Sequence, residues 1–547
     1  MGKMEKGYLA LILHAHLPFI RHPEHPSFLE EDWLFEAITE SYIPLISVLN
    51  RIVRDQVPCR LTLSISPTLA EMLSDALLQA RYLRFLDQRI ELAEKEVRRT
   101  RNSPCFHALS TMYRRHFLRA RQLFQERYRG NLLSGFKDLQ ASGVLEIITC
   151  CATHAFLPFI SREEARRAQV AVAFETHQRY FGQSPRGFWL AECGYEPGLE
   201  GLFKQFGAAY FILDSHGLLF GTPRPQYGIF APVETPSGVM AFARDLESSW
   251  QVWNVHGGYP GDFYYREFYR DLGYDADYEY IKPYLHRDGV RRNVSIKYFR
   301  ITGEGDLGER APYDRRKALA RVREHAGHFM LNRERQIEYL HETLGRRPIV
   351  VSPYDAELFG HWWFEGAQFL ETFIRKAASE QNIFRLATPS DFLERDDHHP
   401  YQQPAASTWG AEGYNHVWLN SNNQWLYRHL HWAEDRMIEL SNRYCSPGQT
   451  LRRMLNQAAR ELLLAQSSDW AFMISHRTTA LYAIKRFRDH MHRFKTLYES
   501  ILRQNFDLDW LKEIEERDNL FRDLDHGVFR SGPDRNSLPH PSNPIAV

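Results

Sequence analysis

Residues 187–200, GFWLAECGYEPGLE, constrain this chain more than any other stretch. Phe188, Trp189 and Leu190 form a short apolar run, and Glu192 follows where a buried strand has to end. A Pro197-Gly198 breaker then precedes Leu199, Leu202, Phe203 and Phe206 at helical spacing. A strand, loop, helix unit of this kind belongs to an α/β fold, which gathers its chemistry at strand ends, where side chains leave the packed interior. Glu192 stands at such an end. A carboxylate there can equally cap a helix or bridge the surface, so its partners have to come from elsewhere in the chain.

The same unit recurs. Tyr8–Leu13 runs into His14-Ala15-His16-Leu17-Pro18, and since alternate strand residues share a face, His14 and His16 point the same way. Arg60–Ser66 is followed by Pro67 at a helix start capped by Ser66, and Val144–Thr149 leads to His154. Ala208–Leu213 ends at Asp214-Ser215-His216, and Ser295–Thr302 reads as a further strand. Pro348–Pro353 carries Asp355, Glu357 and His361 just beyond it, and Phe384–Ala387 precedes the capped start Thr388-Pro389-Ser390-Asp391. Seven or so strands, each followed by helix or loop, favour a β/α barrel over an open sheet.

Other segments interrupt or follow this pattern. Residues 70–140 or so have helical periodicity and form an insertion between two strands, and Tyr313–Leu344 reads as a long helix. Gly217–Gly238 is rich in Gly and Pro and reads either as a mobile lid with Tyr227 near its tip or as a surface connection. Past residue 400 the pattern is helical, with Leu451, Met454, Leu455, Ala458, Leu462 and Ala465 on one stripe. The expected division is a barrel over 1–395, a helical region over 396–529, and a Pro-, Ser- and Asn-rich disordered tail over 530–547.

Composition narrows the partners. Lys plus Arg equals Asp plus Glu at 68 each, so no global field draws nucleic acid or an anionic membrane. No apolar run approaches a membrane span, and the six cysteines show no CxxC pair or framework spacing, which together imply a reduced, cytoplasmic protein. Aromatic residues make up 14%, with 12 Trp, and such rings stack on the apolar faces of sugars as well as packing in cores. Trp409 and Trp418, in a loop before a helix, read more readily as packing anchors than as ligands, and Trp253 is a further ring candidate.

Glu192 and Asp355, at the ends of separate strands with His14, His16 and His154 beside them, suit glycosyl transfer: one acid attacks the anomeric carbon and the other protonates the departing oxygen. The same residues leave a metal-dependent hydrolase of the amidohydrolase type open, with Asp355 and His361 completing a histidine shell. A non-catalytic glucan-binding protein is the third reading.

HAHLPF, GVLEIITCCATHAFLP, WLAECGY, YDAELFGHWWFEG and TWGAEGYNHVW, in this order, resemble the five motifs of glycoside hydrolase family 57. The likeness extends over nearly the whole chain. Within that family the helical insertion, GYPGDFYYREFYRD and the SSDWAFM segment are similar to the 1,4-α-glucan branching enzymes, with 4-α-glucanotransferase and α-amylase as alternatives. HAHLP departs from the hydrolases, which commonly have glutamine between the histidine and the proline. The resemblance implies an incomplete (β/α)7 barrel with a helical C-terminal domain, no metal and no cofactor. It implies Glu192 as nucleophile, Asp355 as acid/base, and His14, His16, His154, Trp409, Trp418 and Asp469 as ligands of an α-1,4-glucan.

Overall fold

The computed structural model describes residues 5–254, 257–303 and 306–532, so residues 533–547 of the expected disordered tail lie outside the described residues. The strands are β1 (Gly7–Ala15), β2 (Leu61–Ile65), β3 (Leu145–Ile148), β4 (Gly187–Trp189), β5 (Tyr210–Leu213), β6 (Val233–Glu234), β7 (Met240–Ala243), β8 (Ile349–Asp355) and β9 (Phe384–Leu386).

Every residue of β1 is buried, as a strand covered on both faces requires. It pairs in parallel with β8 along Tyr8–His14, with β2 along Ile12–Ala15 and with β9 along Gly7–Leu9. β3 follows β2, while β4, β5 and β7 form a second parallel sheet edged by antiparallel β6. The two sheets meet at a Thr149–Phe188 bridge, where Trp189 N donates to Thr149 O at 2.8 Å. On the other side Asp245 N donates to Val351 O at 2.8 Å, but no ladder joins β7 to β8. The result is an incomplete ring of parallel strands among helices.

The period of two fixes what faces into this ring. Tyr8, Ala10 and Ile12 of β1 pack there with Ile148, Trp189, Tyr210, Ile212, Phe242 and Val351. His14 continues the same face one step further, and so does Asp355 after Val351. His14 is also in register with both Ser64 and Asp355, which sets three strand ends at one level.

One expected strand is corrected, and one parallel strand appears that was not expected. Ser295–Thr302 is not a strand: Ser295 sits at φ +62°, which breaks extended backbone, and the segment makes only single bridges to Arg266 and Pro312. The missing ring member is β7, whose run of small and apolar residues directly follows the Gly/Pro-rich stretch.

The expected lid is corrected as well. The 217–238 stretch begins within a short helix (Ser215–Leu219) and includes β6, and it is tied to residues 401–403 by bridges at Thr222 and Glu234. Tyr227 lies under the Arg346 guanidinium, 4.3 Å from the ring centre, and Phe230 O accepts from Ile349 N at the start of β8. Asp355 is at the other end of that strand, six residues on and roughly 20 Å away at ~3.3 Å per residue. Tyr227 therefore belongs to the opposite face of the ring from the mouth.

Between β2 and β3 run helices Pro67–Ser74, Ala76–Arg99, Pro104–Gln122 and Leu132–Ala141. After β9 come helices Trp425–Arg443, Gln449–Ala465, Ser468–His476, Ala480–Arg503 and Leu508–Arg517. Gln449–Ala465 and Ser468–His476 lie against the loop after β3: Ser467 bridges Ala155, and Ser468 N donates to His154 O at 3.0 Å. Among the described residues no helix is long and apolar enough to cross a membrane.

Candidate active site

Glu192 follows β4 within a tight turn and holds φ at +60°, with Cys193 at +50° beside it. For a side chain other than glycine this conformation costs about 1–2 kcal/mol, so its surroundings have to impose it. Cys193 N donates back to Leu190 O at 2.9 Å, and Trp409 N donates to Glu192 O at 3.0 Å. The side chain is held just as firmly. Trp409 Nε1 donates to Oε2 at 2.9 Å and the Ser468 hydroxyl donates to Oε1 at 3.1 Å. Burial pushes the Glu192 carboxyl up to about 7, with the Asp469 charge adding to the rise while these two donors oppose it.

Asp355 has no such donors among the described residues. Burial raises its carboxyl well above the usual range, and the charges of Glu357 and Glu192 push it further the same way. Glu357, bonded by the Tyr42 hydroxyl and by His16 N, is itself pushed to about 7 by burial. Of the two strand-end acids, one is thus clasped by donors suited to an anion and the other is set to keep its proton. Burial raises both, and only Glu192 has donors that offset the rise.

The histidines form a layer over Trp189. His14 stacks on that indole at 4.9 Å between ring centres, and His16 stacks on His154 at 3.8 Å. His14 bonds Ser64 Oγ through Nδ1 at 3.0 Å and His154 through Nε2 at 2.9 Å. His154 bonds Ser468 Oγ through Nδ1 at 2.9 Å. His16 bonds Ser66 Oγ at 2.8 Å and Asp469 at 3.1 Å. Every ring nitrogen of the three is therefore engaged inside the protein. Burial drives the His14 and His154 imidazoles well below their ordinary value, so both are neutral at pH 7. Although burial acts to raise Asp469, His16 holds its carboxyl below the ordinary range.

The tryptophans divide. Trp409 reaches Glu192, and Trp253 meets it edge-on at 6.4 Å. Trp418 does not line the mouth: it is 1% exposed, stacks on Phe156 at 4.9 Å and fills the space against which Gly410 turns. Its expected role as a ligand gives way to that of a support for the Trp409 loop.

A metal shell built on Asp355 and His361 does not form, because His361 turns away to bond Glu40 at 2.9 Å. His16, His154 and Asp469 do bring donor atoms within 4.8 Å of one another. Their nitrogens and carboxylate, however, are already matched to one another and to the serines.

Several participants were not singled out from the sequence. Ser468 is adjacent to Asp469 and has no signal of its own apart from lying in SSDW. Arg244, which pairs with Asp214 at 2.7 Å and lies 5.8 Å from the Trp409 ring centre, follows the strand that periodicity overlooked. Trp189 was readable as an inward residue of its strand, though not as the floor beneath a histidine.

Comparison with known proteins agrees with this architecture. Residues 10–406 match the family described as glycosyl hydrolase family 57, and residues 429–529 match the C-terminal family of 1,4-alpha-glucan branching enzymes. A 1,4-alpha-glucan branching enzyme of Thermococcus kodakarensis is 34% identical over 96% of this chain and 79% of its own length. The solved structure of the alpha-amylase AmyC from Thermotoga maritima superposes with a TM-score of 0.90 at 45% identity, covering 96% of this chain and 99% of that one. A branching enzyme of the same family from Pyrococcus horikoshii gives 0.87 at 33% identity, covering 98% of each chain. On the extent of these matches, this chain belongs to glycosyl hydrolase family 57.

Proposed function

We propose that the protein is a 1,4-α-glucan branching enzyme acting by a retaining double displacement. Glu192 attacks C1 of an internal α-1,4 linkage while Asp355 protonates the leaving O4. The 6-hydroxyl of another glucan chain then takes up the glycosyl group, with Asp355 acting as base. One observation carries this reading. The helices matching the branching-enzyme C-terminal family deliver Ser468 to Glu192 and Asp469 to His16, so the region that marks the subgroup also completes the candidate nucleophile's environment.

The surroundings of each acid support this assignment of roles. Glu192 has two donors to stabilise its anion, whereas Asp355 has two neighbouring carboxylates and keeps its proton. Trp253 and Trp409 supply ring faces for a glucan, and His16 with Asp469 lines the same mouth. The histidines hold one another, so direct bonds from them to a sugar require one internal bond to be exchanged. Residues 1–395 form the catalytic part in this reading, with the insertion over about 70–140, and 396–529 the completing part. The place of action is the cytoplasm, in the synthesis of a glycogen-like polymer.

Transfer and hydrolysis share the first step and differ in whether a glucan hydroxyl or water reaches the intermediate. The likeness to AmyC keeps hydrolysis as the second reading. Incubation with amylose followed by a debranching assay separates the two. New α-1,6 linkages that are absent with Glu192→Gln support branching; reducing ends accumulating without α-1,6 linkages would make the protein a hydrolase.

A further inference from the structure

Ser64, His14, His154, Ser468 and Glu192 are joined by successive hydrogen bonds of 3.0, 2.9, 2.9 and 3.1 Å. The members come from β1, β2, the turn after β3, the turn after β4 and a C-terminal helix. Each histidine uses both ring nitrogens within the chain of bonds. The 2.9 Å contact between the two Nε2 atoms requires one of them to carry a proton and the other a lone pair. The chain consequently has a direction, and two directions are possible in principle.

We propose that Ser468 transmits the charge of Glu192 into a fixed direction for this whole chain, so that it acts as a positioning residue for the nucleophile and dictates the tautomers of His14 and His154. A carboxylate only accepts, so the Ser468 hydroxyl donates to Oε1 and has its oxygen left to accept from His154 Nδ1–H. The Nε2 atom of His154 is then a lone pair and accepts from His14 Nε2–H. The Nδ1 atom of His14 is in turn a lone pair, and the Ser64 hydroxyl donates to it. All four bonds point toward the negative charge, and aligned bonds of this kind strengthen one another in a buried site. Ser64, His14 and Ser468 are each no more than 3% exposed, so water does not compete for these atoms.

Replacing Glu192 by glutamine makes the argument sharp. Trp409 Nε1–H requires an acceptor, so the amide oxygen faces Trp409 and the amide NH2 faces Ser468. Ser468 must then accept, its hydroxyl donates to His154 Nδ1, and every later bond reverses. One substitution at the end of the chain thus flips two histidines, one of them in direct contact with neither Glu192 nor Ser468.

Neutron diffraction from deuterated crystals reads this directly, at a pH where Glu192 is ionised. The wild type is expected to carry deuterons on His14 Nε2 and His154 Nδ1, and Glu192→Gln on His14 Nδ1 and His154 Nε2. The same pair of tautomers in both proteins would overturn the proposal, as would a doubly protonated ring in the wild type.

The positioning role rests on the nucleophile assigned to Glu192, and kinetics test it separately. Ser468→Ala is expected to lower kcat by about 10- to 100-fold with little change in KM, the scale of one hydrogen bond to a charged group. Ser468→Thr, which keeps the hydroxyl, restores most of the rate. Equal losses in both variants would show mere packing and refute the positioning role. Tautomers need no substrate, so a protein without branching activity would still show or fail to show the reversal.

Discussion

Trp409, which reaches the mouth of the ring from beyond its last strand, donates a 2.9 Å hydrogen bond from its indole to Oε2 of Glu192, 217 residues earlier in the chain. The same tryptophan bonds the Glu192 carbonyl through its backbone amide at 3.0 Å. A glutamate with positive φ is thus fixed at both its backbone and its side chain by one residue.

Trp409→Phe keeps the ring and removes the indole donor. Its kcat/KM on maltooligosaccharides should fall by about 10- to 100-fold, the scale of a bond to a buried charge, while thermal unfolding changes little. A variant that keeps its rate would show that Ser468 alone suffices to hold the carboxylate.

The pH dependence has a definite shape. In the proposed mechanism attack needs Glu192 ionised and Asp355 protonated, so kcat/KM should be bell-shaped with its acid limb near 7, where burial places Glu192. Asp469 raises Glu192 by like charge, so Asp469→Asn should move that limb downward. Asp355→Asn should abolish turnover of natural glucan, in which the leaving oxygen needs a proton. A rate profile over pH for each protein checks all three.

Stability should vary with pH through the same groups. Glu192 and Glu357 each rise from an ordinary 4.5 to about 7 on folding, so the folded chain holds more protons than the unfolded chain between those values. Stability is therefore highest below 4.5 as far as these two are concerned, and declines as pH rises through about 7. Glu192→Gln removes its share of the penalty. The variant should be more stable than the wild type above pH 7 by up to ~3 kcal/mol, with the gap closing toward pH 4.5, as followed by calorimetry.

Gly410 offers a probe of the Trp409 loop that removes no side chain from the mouth. A Cβ there would lie 2.6 Å from the Trp418 ring, which is buried against Phe156 and cannot retreat. Gly410→Ala should displace the loop, lowering activity by tenfold or more while the bulk of the fold melts normally. Unchanged activity would show that the loop tolerates the shift.

Much of this arrangement was legible in the sequence. His14 and Asp355 were placed because a period of two carries the inward faces of β1 and β8 straight to their ends. Glu192 was placed by the breaker after its strand. Strand β7 escaped because its run is short and rich in alanine, and the conformation of Ser295 has no local signal. The course of residues 217–238 is set by contacts with residues 401–403 and with Arg346, far away in sequence, which no local pattern reports. Ser468 reaches Glu192 through the docking of the last helices onto the turn after β3, which no local pattern reports.

That reach has a consequence for how the protein comes into being. The hydroxyl on Glu192 is supplied 276 positions after it, and the indole on its other oxygen 217 positions after it. On a ribosome, then, the barrel strands emerge well before the groups that clasp their glutamate. Until the final helices have left the tunnel and docked, Glu192 lacks its bond from Ser468.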